Sequence, residues 1–341
     1  MITKNIIYIA NLLLTRRCNL RCSYCGLVQD LEDKPDEYPD IKYYHNNEIS
    51  SREWINIIKR IRKNNPKCFF ILYGGEPFLY EQLYEIINYC NIEDLDYTII
   101  SNNTDVAYNR LQKLFKDKKI EYIKGYTASV DPVIFDKEKS NDIRKKSENG
   151  LKRLIEIKQR YPRCDVVAEI TVTKENIKFL NKTVQLLTKN NIYASITCID
   201  QKKNKFYDFS SVKETDLLIE QKSNHKKIFS TLVKNAKNKK LLIHCPDLIM
   251  ELYKKLPCNL YCNMDENIHN ITIDSDGKIR TCLRIRGLKT PELNIENAIL
   301  ENGIISDNFK FAMKEDLKVC CENCNWTCIL MSQLFNYDIV H

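Results

Sequence analysis

No stretch of this 341-residue chain approaches the ~20 consecutive apolar residues that a helix needs to cross a bilayer. The most apolar segment near the N-terminus, residues 5–14, falls far short of that length and no small-residue cleavage site follows it. Neither a membrane span nor a secretory signal is expected, which places the protein in the cytoplasm. A basic run interleaved with aromatics is missing too. The formal net charge of +8 comes from lysines and arginines spread along the whole chain, which describes a solvated surface and excludes an obvious nucleic-acid groove. Cysteine, by contrast, is plentiful. A disulfide framework belongs to short secreted chains, and this chain is neither, so its fifteen cysteines need another reason. Three stand together at 18, 22 and 25, and seven (258, 262, 282, 320, 321, 324 and 328) fall in the last quarter. Clustering of this kind argues for metal in a reducing setting.

Six short runs rich in β-branched and aromatic residues recur at 6–14, 68–73, 97–100, 126–130, 166–172 and 192–199. Near-continuous apolar runs suit strands buried on both faces. Helical periods lie between them. Ser50 with Glu53 forms a capping box ahead of Trp54, Ile57, Ile58 and Ile61, and Leu79, Leu83, Ile86, Ile87 and Cys90 make the next stripe, so Cys90 is read as core. Strand alternating with helix six times predicts an α/β fold, a partial (βα)6 TIM-like barrel over residues 1–205. Residues 206–256 read as a Lys-rich helical connector, and residues 257–341 as a small Cys-rich domain whose ITIDSDGKIRTC segment (271–282) forms a β-hairpin. Its turn at Asp274 to Gly277 would bring Cys262 and Cys282 to the same end.

Polar residues follow each strand: the cysteine loop after the first, Gly74-Gly75-Glu76 after the second, Ser101-Asn102-Asn103 after the third, Ser129 and Asp131 at the fourth, Thr173 and Asn176 after the fifth, and Asp200 after the sixth. Successive loops at the C-terminal ends of parallel strands meet over one mouth, the usual place for a barrel active site. Three thiolates spaced three and then two residues apart leave the fourth position of a cluster or metal open, which is where metal sites do chemistry.

The pattern Cys18-x3-Cys22-x2-Cys25, with Tyr24 before the last cysteine, resembles the signature of the radical SAM enzymes, and the first 200 residues follow that family's motif order. The resemblance implies a [4Fe-4S] cluster on Cys18, Cys22 and Cys25 that binds S-adenosyl-L-methionine through its free iron and cleaves it to a 5'-deoxyadenosyl radical. It assigns Gly74, Gly75 and Glu76 to the amino group of S-adenosylmethionine, Ser129 and Asp131 to the ribose, and Arg144 to the carboxylate. A planar guanidinium suits that carboxylate. Asn103 stands where the family often has glycine, and asparagine tolerates the left-handed conformation that this turn needs.

The C-terminal block resembles the SPASM/twitch extension, which implies one auxiliary [4Fe-4S] cluster on Cys262, Cys282, Cys321 and Cys324, with Cys258, Cys320 and Cys328 as alternates. Family members with this extension mostly modify peptides or proteins, and others dehydrogenate small-molecule alcohols. The expected partners are therefore a peptide or small-molecule substrate and an electron donor such as flavodoxin or ferredoxin, with no nucleic acid and no membrane. The few residues ahead of the first strand leave leader recognition to another surface or a partner. An alternative of another class is a non-catalytic module holding zinc at one or both cysteine groups.

Overall fold

The apolar runs form six strands, β1 (Ile9–Thr15), β2 (Phe69–Gly74), β3 (Tyr97–Ser101), β4 (Gly125–Ser129), β5 (Asp165–Val172) and β6 (Tyr193–Cys198). A computed structural model describes them together with the rest of residues 7–20, 22, 47–117, 120–198, 223–244, 270–280, 293–303 and 305–312. Helices α1 (Ser51–Arg62), α2 (Leu83–Ile92), α3 (Asp105–Lys116), α4 (Asn141–Arg160) and α5 (Leu180–Lys189) alternate with the strands. Local chemistry sets their starts. Ser50 caps α1, donating its backbone N–H to Glu53 Oε2 at 2.8 Å while its hydroxyl oxygen accepts the Glu53 N–H at 3.3 Å. One turn later Trp54, Ile57, Ile58 and Ile61 turn one buried stripe to the sheet, each worth about 1.5–3 kcal/mol when fully covered. Cys90 is core, as its place in the α2 stripe predicts, whereas Leu79 belongs to a separate one-turn 3-10 segment, Pro77–Leu79.

Every strand from β1 to β6 pairs in parallel with the next. Because such crossovers are right-handed, an unbroken order sends all the helices to one side, and the sheet curls into a partial barrel with its other face concave. The outer face is closed: Phe70, Leu72, Ile99, Tyr126, Ala128, Val166, Ala168, Ile170 and Val172 are buried against the helices. The expectation of strands buried on both faces holds for β1, whose Leu12, Leu13 and Leu14 are all fully covered. It fails for β5, where Val167, Glu169 and Thr171 alternate with the core set and remain only half-buried. Among the described residues, no helix packs on the concave side.

Beyond β1 the sheet continues. β7 (Asn270–Ile273) adds in parallel to β1, and β8 (Lys278–Arg280) and β9 (Leu293–Asn294) follow antiparallel. The predicted hairpin is therefore continuous with the barrel sheet. Its turn is closed by the Gly277 N–H on Asp274 O at 2.9 Å, with Gly277 at φ +76°, a conformation that a side chain disfavours. At the far edge, α6 (Ser223–Lys237) packs Phe229 and Leu232 into the core, and the chain after it bridges to β6 through Ala194 N to Leu242 O (2.9 Å) and His244 N to Ala194 O (2.8 Å). That contact covers an otherwise open edge strand. Among the described residues no helix is long and apolar enough to cross a membrane.

Candidate functional site

β1 ends at Thr15, and the cysteine loop begins there under tight constraint. A Cβ on Gly74 would lie 2.4 Å from Thr15 O, and one on Gly75 would lie 2.4 Å from Arg17 O and 2.7 Å from Arg16 O. Glycine at both positions lets the β2 loop clasp the first residues of the cysteine loop, with Gly75 N donating to Thr15 O (2.7 Å) and Glu76 N to Arg17 O (2.8 Å). Two ion pairs hold the same residues from the other side. Arg16 and Asp274, both buried, form a two-bonded pair in which Nε meets Oδ1 at 3.0 Å and Nη2 meets Oδ2. Arg17 Nη2 meets Glu48 Oε2 at 2.8 Å, and Glu48 also accepts from Thr15.

Glu76 is fully buried. Its carboxylate accepts Asn102 N at 2.8 Å, Phe78 N at 3.1 Å and the Ser101 hydroxyl at 3.1 Å, so it braces the β2 loop against the β3 loop. Burial pushes its pKa up to about 7 against the pull of those hydrogen bonds and of Arg110. Asn102 extends the brace to the cysteines. Its side-chain amide donates to Cys18 Sγ at 3.7 Å and to Asn19 Oδ1 at 2.8 Å, and Leu20 N donates to the same sulfur at 3.4 Å. Asn103 adopts φ +54°, the left-handed turn anticipated for it. Cys18 and Cys22 are half-buried beside this network. Cys25 and Tyr24 lie outside the described residues, as do Cys262, Cys282, Cys321 and Cys324.

Farther round the mouth, Ser129 is exposed at the end of β4. Asp131 caps a 3-10 turn by accepting Val133 N at 3.1 Å, and burial raises its pKa despite that bond. Arg144 sits in the first turn of α4, donating to Asn141 Oδ1, while its buried Nε has no partner among the described residues. Two contributors escaped the sequence reading. Asn102 was visible only as part of a turn, and Glu169, the one charge in the run VVAEITV, gave a signal that was passed over. Glu169 stands in register between Ser129 on β4 and Ser195 on β6.

A family model described as the Radical SAM superfamily matches residues 12–187. A nucleotide dehydratase from Selenomonas ruminantium that depends on S-adenosylmethionine is 27% identical over 97 residues, 28% of this chain and 30% of that protein. The chain thus spans about 30% of the length of this relative. Among solved structures, Streptococcus suis SuiB bound to S-adenosylmethionine superposes with TM-score 0.63 at 13% identity, covering 93% of this chain and 72% of SuiB. SuiB bound to its precursor peptide SuiA gives 0.61 at 13% identity over 93% of this chain and 71% of SuiB. Native anSMEcpe with bound AdoMet gives 0.55 at 15% identity, covering 91% of this chain and 84% of its own.

Proposed function

The chain belongs to the radical SAM superfamily, an enzyme family whose cofactors are a [4Fe-4S] cluster and S-adenosylmethionine, and on that premise we propose that it is a peptide maturase. Membership displaces the reading as a non-catalytic zinc module. The donor set fits a cluster: two half-buried cysteines stand at the mouth, and one of them already receives two N–H donors of the kind that stabilise a thiolate. The chemistry supplied when both cofactors are bound is reductive cleavage of the sulfonium and hydrogen abstraction from a substrate C–H.

The chain's own residues then have distinct tasks. Cys18, Cys22 and Cys25 hold iron, with Tyr24 beside them. Asn102 fixes the orientation of the first thiolate. The Glu76 carboxylate is already taken by three donors, so the backbone of Gly74, Gly75 and Glu76 is what meets the amino group of S-adenosylmethionine. Arg144 has an unused, buried Nε to spend on the carboxylate, and Ser129 and Asp131 flank the ribose. Cys262, Cys282, Cys321 and Cys324 hold an auxiliary cluster in a SPASM/twitch-like block, residues 257–341, joined by the connector 206–256 to the barrel of residues 1–205. Electrons arrive from a flavodoxin or ferredoxin.

The observation that carries the radical reading is the hydrogen-bonded path from Cys18 through Asn102 to Glu76, which ties the thiol loop to the glycine motif at one mouth. Support for a peptide substrate is the likeness over 93% of the chain to SuiB, a protein solved with a precursor peptide, together with the seven C-terminal cysteines. Anaerobic purification with iron and sulfide analysis, followed by an assay for 5'-deoxyadenosine, tests the reading. Colourless protein with stoichiometric zinc and no 5'-deoxyadenosine would sink it.

A further inference from the structure

The concave face of the sheet is lined by hydroxyls. Thr98 and Thr127 bring their oxygens to 3.1 Å across β3 and β4, and Thr197 on β6 donates to Glu169 Oε1 on β5 at 3.0 Å. Ser195 stands in register with Glu169 on the neighbouring strand β6. Thr197 gives that carboxylate its hydrogen bond, and among the described residues no lysine, arginine or histidine pairs with it. Glu76 differs in this respect, since backbone N–H groups and the field of Arg110 serve it from within the fold.

A deep carboxylate without a counter-ion works against folding, because a charge removed from water needs a paired charge to offset the loss. Burial accordingly raises the proton affinity of Glu169 above that of an ordinary glutamate. Core packing gives no reason for it, since Glu169 points away from the helices while its neighbours Ala168 and Ile170 face them fully buried. Glu169 nonetheless keeps some solvent access from the concave side, as do Val167, Thr171, Ser195 and Thr197 around it. The arrangement is that of a concave wall with one carboxylate and adjustable hydroxyl acceptors.

We propose that Glu169 is the specificity-determining residue for the substrate, receiving a basic side chain, lysine foremost, of the peptide that this enzyme modifies. An ammonium has three donors and no acceptor, which the carboxylate and the Ser195 and Thr197 oxygens match. Its flexible four-carbon stem adapts to a single carboxylate on an inner wall more readily than a planar guanidinium does. A triphosphate-bearing nucleotide is poorly matched, because the described side chains of this wall offer it a negative charge and no cation. The proposal rests on the peptide reading given above and adds which residue of the peptide enters the barrel.

The test uses the anaerobically reconstituted holoenzyme with S-adenosylmethionine, a chemical reductant and short synthetic peptides that differ at one fully deuterated residue: lysine, norleucine or glutamate. Deuterium per 5'-deoxyadenosine released is read by mass spectrometry, so the result does not depend on the absolute rate. Lysine is expected to label about tenfold or more above norleucine, the range of one charge-assisted contact, with glutamate lowest. In Glu169→Gln the lysine preference collapses towards parity. Thr197→Val, which removes one hydroxyl from the wall and leaves the charge, lowers it part-way and serves if the glutamine variant does not fold. Equal labelling of all three peptides by the wild type overturns the proposal, as does survival of the preference in Glu169→Gln. Loss of S-adenosylmethionine affinity in that variant without peptide also overturns it, by assigning the carboxylate to the cofactor. Wild-type protein that releases no 5'-deoxyadenosine before any peptide is added is a failure of the radical reading itself, and is told apart by that order of addition.

Discussion

Glu76 carries its proton across a pH window in which an unfolded glutamate has lost it. Its pKa rises from the ordinary 4.5 to about 7, with burial as the cause, so between those values the folded chain binds more protons than the unfolded one. Stability from this residue is therefore fully present below the lower value and lost as pH climbs through the upper one, by on the order of 3 kcal/mol. Thermal midpoints of apo-protein should fall from pH 5 to pH 8, and Glu76→Gln, which cannot ionise, should flatten that fall. Parallel curves for the two proteins would mean that Glu76 stays charged in the fold. The roles of other single residues were partly open to inspection in the sequence. The turn at Asn103 and the core position of Cys90 follow from rules about neighbours within a few residues. The partnership of Asn102 with Cys18 does not, because it joins residues 84 apart across two loops.

At the level of elements, the start of the cysteine loop is held in a vice between the β2 loop and the β7–β8 turn. Gly75→Ala places a methyl 2.4 Å from Arg17 O, closer than real Cβ atoms come, so the loop must move. We expect that variant to keep its helical content and to lose iron on anaerobic reconstitution, at a stability cost of about 1–3 kcal/mol. Asp274→Ala acts from the opposite jaw. It leaves the Arg16 guanidinium buried without its charge partner, and should cost about 3–5 kcal/mol in a denaturant titration. A loss below ~1 kcal/mol would mean that Arg16 reaches water when Asp274 is removed. Local sequence carried the helix starts and the hairpin turn because Ser50 with Glu53, and Asp274 with Gly277, are short-range arrangements. The jaw itself could not be read that way: Arg16 and Asp274 are 258 residues apart, and neither residue type nor spacing announces the pairing.

Over the whole molecule, the proposed reading of the two groups of cysteines requires two clusters of four irons. Iron analysis of reconstituted protein should give about eight irons per chain, and about four when Cys18, Cys22 and Cys25 are replaced together by alanine. About twelve would mean a second auxiliary cluster drawing on Cys258, Cys320 or Cys328. The overall plan was the most legible level of all, since six strand–helix repeats leave few ways to wind a parallel sheet. What the repeats could not reveal is that, among the described residues, the sheet runs to nine strands, because β7 pairs with β1 from far along the chain. That pairing has a consequence in time. β1 is made well before β7, yet the two can pair only once Asn270 arrives opposite Ile9 and Asp274 closes on Arg16. At about 5–20 residues per second, the intervening chain takes on the order of 10–50 s to synthesise. The seat proposed for the first cluster is thus completed by a strand made long after the loop that it supports.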